Sequence, residues 1–543
     1  MSSLARRKRT GAVAAAGALF LGAALVLRAP AANAQPYDLV LRNARIVDGT
    51  GSPWYRADLA VRGDTIARIA PAITDPTTRV IDVGGLAVAP GFIDLHTHAS
   101  RGIFQVPTAD NYVRQGVTTI LEGPDGGSPV PLKPFLDKLE ALPKSLNIAS
   151  FLGQGSVRER VIGLADRPAS AQELERMRAL VEQGMRDGAF GLSTGLFYVP
   201  GIFTPLAEVV ELEKVAGRLG GVHTSHMRDE ASRVLESVRE TIAIGEQGGL
   251  PTQVSHHKVI GKGNWGKSVE TLKLIDEARS RGVDATLDQY PYTASSTRLE
   301  AALLPAWALE GGAKQTEARL KDPATRAKIR EVTADLILNE RGGGDPRNVV
   351  LTLCEWDMSL AGRNLAEVTR SRGMDPTMQN AAETTLVLTE RGGCRAVFHS
   401  IGEEDLVRIL RHPATMIASD GEVPIFGRGA PHPRSYGTFA RVLAVYVREK
   451  GILTLEEAVR KMSSFPAARI GLADRGVLRP GMKADIAVFD PARVRDAATF
   501  EKPHQYATGV EFVVVNGTVV LDRGRHTGVR PGAILKRKQG GRS

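Results

Sequence analysis

Pro90-Gly-Phe-Ile-Asp-Leu-His-Thr-His98 reads as a short apolar strand that runs straight into two imidazoles. It is the first of eight such segments. Apolar runs near 91–96, 117–122, 147–152, 188–193, 221–226, 251–256, 283–288 and 415–420 alternate with stretches of helical period, the signature of βα units on a parallel sheet. Eight units predict an α/β fold of the (β/α)8 TIM-like type over about 89–470. The span from about 293 to 414 is too long for a loop. It holds charged helical sequence at 313–340 and a strand, Asn348-Val-Val-Leu-Thr-Leu-Cys354, and so reads as an insertion after the seventh strand, placed to cover the barrel mouth.

The flanks have a different period. Tyr37-Asp-Leu-Val-Leu-Arg-Asn-Ala-Arg-Ile-Val-Asp48 alternates like a strand and stops at Gly49-Thr-Gly-Ser-Pro53, with short strands at 58–62 and 64–69. Gly481 to Asp490 and Val510 to Leu521 are strands again, the second a hairpin across Asn516-Gly517. Residues 35–88 and 471–543 are therefore expected to form one small β-sandwich. Residues 1–34 read as an export signal: Arg6-Arg7-Lys8-Arg9 is a charged leader, Gly11 to Leu27 an apolar stretch, and Ala32-Asn33-Ala34 a cleavage site. The mature protein is then expected to be soluble, free of membrane, and periplasmic or secreted.

Composition narrows the partners. The 543 residues are 43% apolar and 24% charged, ordinary for a globular chain. The excess of ten cations, 70 against 60 acids, is halved by the five that lie in the first 34 residues. With only 5% aromatics as well, no nucleic-acid groove is expected. Lys536, Arg537 and Lys538 read as a solvated tail. Cys354 and Cys394 are the only cysteines. They read as buried thiols, with a single disulfide after export as the alternative, and any metal must be held by histidine and carboxylate.

Barrel active sites lie at the C-terminal ends of the strands. Four ends carry suitable groups: Asp94-Leu-His96-Thr-His98, Thr224-Ser-His226, Ser255-His256-His257-Lys258 and Ser419-Asp420-Gly421. The i, i+2 spacing of His96 and His98 turns both imidazoles to one face. Their joint occurrence with His226 and His256 points to a metal site. The Gly pairs at 84–85, 126–127 and 248–249 lack nucleotide-binding spacing and read as turns. His399 falls in the insertion and is left outside the site.

Pro90–His98 with the terminal β segments resembles the metal-dependent amidohydrolase superfamily. Ser225-His-Met-Arg-Asp-Glu230, Val254-Ser-His-His-Lys-Val259, Asp288-Gln-Tyr-Pro-Tyr-Thr-Ala294, Ser419-Asp-Gly421 and Pro431-His-Pro-Arg434 together resemble the N-acyl-D-amino-acid deacylases, or D-aminoacylases, over about residues 37–530. The resemblance implies that His226 and His256 bind a tight zinc, that His96 and His98 bind a second, weaker one, and that His257 faces away. It implies that Asp420, beside the metal, handles the proton. Lys258, Tyr290 and Arg434 become anchors for the substrate carboxylate, with Lys258 on the face of His256 if the strand stays extended, and Ser296 becomes a pocket residue. Where many relatives have a bridging cysteine, this chain has Asp125 by register and Glu122 three residues earlier at the strand end. Either carboxylate could bridge two zinc ions, or only fix the Gly-rich turn.

The implied reaction is zinc-dependent hydrolysis of a small-molecule N-acyl-D-amino acid to a carboxylic acid and a D-amino acid, with no organic cofactor. The alternatives are a dipeptidase for peptides with a C-terminal D residue, a cyclic-amide hydrolase, for which no carboxylated lysine can be placed, and a catalytically silent zinc-binding protein.

Overall fold

The computed structural model describes residues 37–537; the expected export signal lies outside them. Eight parallel strands form the barrel: β1 (Phe92–Asp94), β2 (Val117–Glu122), β3 (Asn147–Ser150), β4 (Gly191–Gly195), β5 (Val222–His226), β6 (Thr252–Val254), β7 (Ala285–Gln289) and β8 (Thr415–Ile417). Each pairs in register with the next from β1 to β3 and from β4 to β8, for example Ile120 with Ile148 and Leu287 with Thr415. Leu152–Gly153, the continuation of β3 past Phe151, carries the pairing on to β4. Between β8 and β1 the ring is closed by other means. Asp420 N–H donates to the His96 carbonyl at 2.9 Å, and Ser419 N–H to the Asp94 carboxylate at 3.0 Å. Just beyond, Thr97–His98 pairs with Gly421–Glu422. Burial foremost lifts the Asp94 pKa to about 7.

The helices bury one stripe against this ring, as their sequence dictates. Ala171–Asp187 begins at a capping box in which Ser170 accepts from Glu173 N–H and Glu173 returns to Ser170, and it ends where Gly188 turns left-handed at φ 118°. Met177, Val181 and Met185 face inward. Among the described residues no helix is long and apolar enough to cross a membrane.

The two chain ends build a single nine-stranded sheet rather than two separately bonded ones. Ala87–Pro90 pairs with Ile486–Phe489, and the Asn516-Gly517 turn, with φ 47° and 78°, joins Val510–Val515 to Thr518–Asp522. The sheet curls, because Ile66 N–H reaches the Met482 carbonyl and Thr65 bridges Lys483. Leu59, Val61, Ile486, Val488 and Val514 thereby share one core.

The insertion is a small unit of its own. Ser295–Arg298, Arg395–Phe398 and Val349–Leu353 form an antiparallel sheet in that order, backed by helices Pro323–Asn339 and Met378–Glu390. Of the three strands only that at 349–353 is foreseen by the sequence reading, which also expects the helical sequence at 313–340. The two cysteines are not free thiols: Cys354 and Cys394 are disulfide-bonded, 4.4 Å apart at Cα, because the antiparallel pairing brings residues 40 apart in sequence face to face. Of the expected solvated tail, Lys536 is exposed and Lys538 lies outside the described residues, but the backbone leading to it is bound. Residues 531–537 run along the barrel, with Leu535 N–H on the Ile148 carbonyl and Arg537 N–H on that of Gly188, and Lys536 meets Glu140 at 2.7 Å.

Candidate active site

Loops after β1, β2, β5, β6 and β8 converge on one buried centre. Nε2 of His96 and of His98 lie 3.3 and 3.4 Å from Asp125 oxygens and 3.6 and 3.2 Å from Asp420 Oδ1. On the far side of Asp125, His226 Nδ1 stands 3.7 Å and His256 Nε2 3.4 Å from its carboxylate. The donor atoms form two groups, His96–His98–Asp125–Asp420 and Asp125–His226–His256, each within 4.8 Å. Asp125 is common to both.

Three of these residues sit in the left-handed region that side chains disfavour: Asp125 at φ 55°, His256 at 35° and Asp420 at 50°. Such strain persists only where surrounding bonds over-determine it. For His256 the bond is its N–H on the Asp288 carboxylate at 2.7 Å, a group also held by Gln253 at 2.5 Å. β6 stops at Val254, so the extended-strand argument for Lys258 fails. Lys258 reaches His256 through a turn instead, with Nζ 2.7 Å from Nδ1. His257 points outward to Thr271 Oγ1 at 2.8 Å.

The donor set fits a divalent metal such as zinc. Asp125 Oδ1 is buried with no hydrogen-bond donor, an arrangement that is costly unless a cation completes it. Burial alone would raise its pKa, yet His96 and His256 hold it well below the usual range. Asp420 is likewise kept ionised against burial, chiefly by Arg434 and His96. Glu122 takes no part: its two oxygens accept from Ser100 N–H and Oγ–H at 2.9 and 2.7 Å, which pins the loop after His98. Of the two carboxylates left open by the sequence, only Asp125 joins the donor groups.

The expected anchors lie around the same space. A cavity of about 450 Å³ is lined by His98, Asp125, His226, His256, Lys258, Tyr290, Ser296 and Asp420, and Arg434 lines the space next to it with Ser296 and Asp420. The Tyr290 ring lies 5.5 Å from Lys258 Nζ and 4.7 Å from the Arg434 guanidinium. The Tyr290 hydroxyl has no hydrogen-bond partner. Arg434 Nη1 lies 2.8 Å from Asp420 Oδ2, but at an angle that leaves it without a hydrogen bond. Arg434 Nη2 donates to the Ser296 carbonyl at 3.3 Å. Lys258 is less free than its position in sequence suggests, being paired with Glu230 at 2.5 Å.

Glu230 is the residue whose role sequence reasoning missed. Buried four places after His226, it faces His256 Nδ1 at 3.2 Å and His226 Nε2 at 3.8 Å, the geometry by which a carboxylate orients metal-binding imidazoles. Its i, i+4 spacing from His226 was the available signal. Arg341, from the insertion, meets its other oxygen at 3.3 Å and stacks on Phe197. His399 stays outside the centre, against Phe500.

This architecture has known counterparts. The amidohydrolase family model matches residues 79–521. The D-aminoacylase of Alcaligenes xylosoxydans xylosoxydans is 37% identical over 93% of this chain and 99% of its own. The N-acyl-D-glutamate deacylase of the same organism is 35% identical over 92% and 96%. A crystal structure of D-aminoacylase superposes with a TM-score of 0.79 at 35% identity, over 92% of this chain and all of that one. So does the N-acyl-D-glutamate deacylase of Bordetella bronchiseptica, complexed with zinc and a phosphonate mimic of the tetrahedral intermediate, at 0.79 and 33% over the same shares. The chain therefore belongs to the amidohydrolase family, in its D-aminoacylase group, and is a hydrolase of N-acyl amino acids.

Proposed function

We propose that this chain hydrolyses the amide bond of N-acyl-D-amino acids in a zinc-dependent reaction. One observation carries the reading: a single buried carboxylate, Asp125, is shared by two donor groups with Asp420 alongside. The relatives named D-aminoacylase and N-acyl-D-glutamate deacylase support the D hand. Zinc supplies Lewis acidity, bringing the pKa of water towards neutrality and polarising a carbonyl. His226, His256 and Asp125 would hold one ion, and His96, His98, Asp125 and Asp420 a second, weaker one.

The chain's own groups do the rest. Asp420, ionised and fixed beside Arg434, takes the proton of the attacking water and returns it to the leaving amine. Glu230 keeps the two inner imidazoles in the required orientation. Tyr290 and Arg434, with unfilled donors, face the substrate carboxylate, and Arg434 offers it a planar fork. Holding that group from two sides leaves the α-substituent one orientation, which is how a site selects a hand. The Cys354–Cys394 disulfide supports action in an oxidising compartment after export.

The test is hydrolysis of N-acetyl-D- against N-acetyl-L-amino acids by zinc-loaded and chelator-stripped enzyme. Zinc-dependent turnover confined to the D series is expected. Equal rates on both hands, or full activity without metal, would overturn the proposal.

A further inference from the structure

A second cavity, of about 430 Å³, opens beside the metal centre. Arg101, Arg298 and Arg395 line both it and the metal cavity, so three guanidiniums stand where the two spaces meet. Their placement is unfavourable in one respect. Arg298 and Arg395 are direct register partners on antiparallel strands, an arrangement in which like charges repel. The acids nearby hold Arg101, which feels Glu422, Glu122 and Asp420, but leave the other two short. Glu422 Oε1 is shared by Arg101 at 2.8 Å and Arg395 at 2.6 Å. Arg298 has only Glu300 at 3.5 Å, with its side chain 71% exposed, and Glu355 is taken by Arg428. Burial foremost, then repulsion from Arg101 and Arg434 against the pull of Glu422, lowers the Arg395 pKa.

The strand that carries Arg298 is tied to the reaction centre. Arg434 holds the Ser296 carbonyl, and the Tyr198 hydroxyl meets Thr297 Oγ1 at 3.0 Å. Ser296 and Arg298, two apart on a strand, share a face. A substrate held by Arg434 therefore has the Arg298–Arg395 pair within its reach along one strand. Repelling guanidiniums facing a cavity with unfilled donors match a planar anion, which Arg binds through its fork.

We propose that Arg298 and Arg395, backed by Arg101, form a subsite for a second carboxylate of the substrate, distinct from the one on its α-carbon. The carboxylate comes from an acidic D-amino-acid side chain or from a dicarboxylic acyl group. This inference rests on the N-acyl-D-amino-acid reading above.

The experiment measures kcat/KM on two matched pairs. N-acetyl-D-glutamate against N-acetyl-D-glutamine tests the side chain, and N-succinyl-D-methionine against its terminal amide tests the acyl group. In one pair the charged member should be favoured by at least about tenfold, as expected of a close charge pair. Arg298→Gln and Arg395→Gln should each lower that ratio, chiefly through KM. Arg298 is exposed, so its variant keeps the fold even if Arg395→Gln does not. Ratios near one in both pairs, or a preference that Arg298→Gln leaves unchanged, would overturn the subsite. Turnover of the neutral D substrates with such ratios would leave the catalytic reading intact, whereas no turnover of any D substrate would remove both.

Discussion

His256 Nε2 lies 2.8 Å from Nδ1 of His226. Two bare imidazole lone pairs repel at that distance, so either a proton or a cation must lie between them. The other nitrogen of His256 is crowded by Lys258 Nζ at 2.7 Å and Glu230 Oε1 at 3.2 Å. Burial and Lys258 oppose a charge on this ring, but Asp125 and Glu230 raise its pKa to about 10. Metal must displace that proton. Stripping the protein with a chelator should abolish hydrolysis, added zinc should restore it, and the apparent zinc affinity should weaken as pH falls. Calorimetric titrations at two pH values check the last point.

Asp125 and Glu122 differ in what they hold, and their loss should differ accordingly. Asp125→Ala removes the oxygen common to both donor groups, so zinc content and turnover should collapse together. Glu122→Ala leaves those groups intact and strips two hydrogen bonds from Ser100. It should lower stability by about 1–3 kcal/mol while elemental analysis still finds zinc.

The proton role of Asp420 separates from its metal role by a conservative change. Asp420→Asn keeps the shape, and zinc held by His226, His256 and Asp125 should remain. Turnover should fall by at least about 10²-fold, the scale of general acid–base catalysis. Retention of near wild-type turnover would reassign the proton to another group.

The barrel was legible because each strand is a short apolar run, such as Val117–Glu122, whose meaning depends only on its neighbours in sequence. The four histidines were legible because strand ends in a barrel converge. What escaped the reading depends on the turns between elements. The left-handed backbone of His256 decides where Lys258 points, and no local pattern announces it. Arg341 reaches Glu230 from 111 residues away, and the Cys354–Cys394 disulfide, left as an alternative by the sequence, is decided by a strand pairing that neither segment advertises.

Acid should weaken the fold through His223. This residue of β5 is buried between the Thr194 and Thr252 hydroxyls at 3.0 and 2.8 Å, and burial foremost, then Arg469, pushes its pKa down to about 3. The folded state keeps the ring neutral, while the unfolded chain takes a proton near pH 6.5. Stability is therefore present above that value and is lost as pH falls towards 3, by about 1.4 kcal/mol per pH unit. His223→Gln should cut the stability lost by metal-free protein between pH 7.5 and 5.5 by about 1.4 kcal/mol in total, because the unfolded-state ring takes up most of one proton across that interval. An unchanged slope would mean that His223 does not titrate on unfolding.

Lys258 and Arg434 were expected to act alike on the substrate carboxylate, and their surroundings now separate them. Arg434 has an unfilled donor, and its guanidinium faces Asp420, the Ser296 carbonyl and the Tyr290 ring. Arg434→Lys keeps the charge but loses the fork. It should lower kcat/KM for N-acyl-D-amino acids more than for an amide that lacks the carboxylate, with zinc content unchanged. Lys258 is bonded to both Glu230 and His256. Lys258→Met leaves a buried carboxylate partly uncompensated, the situation in which breaking a pair costs about 3–5 kcal/mol, although Arg341 at 3.3 Å offsets part of it. The loss should therefore reach the metal: weaker zinc binding and lower turnover on both substrates. If Lys258→Met instead spares zinc and selectively penalises the carboxylate-bearing substrate, Lys258 is a direct anchor and its bond to Glu230 opens when substrate binds.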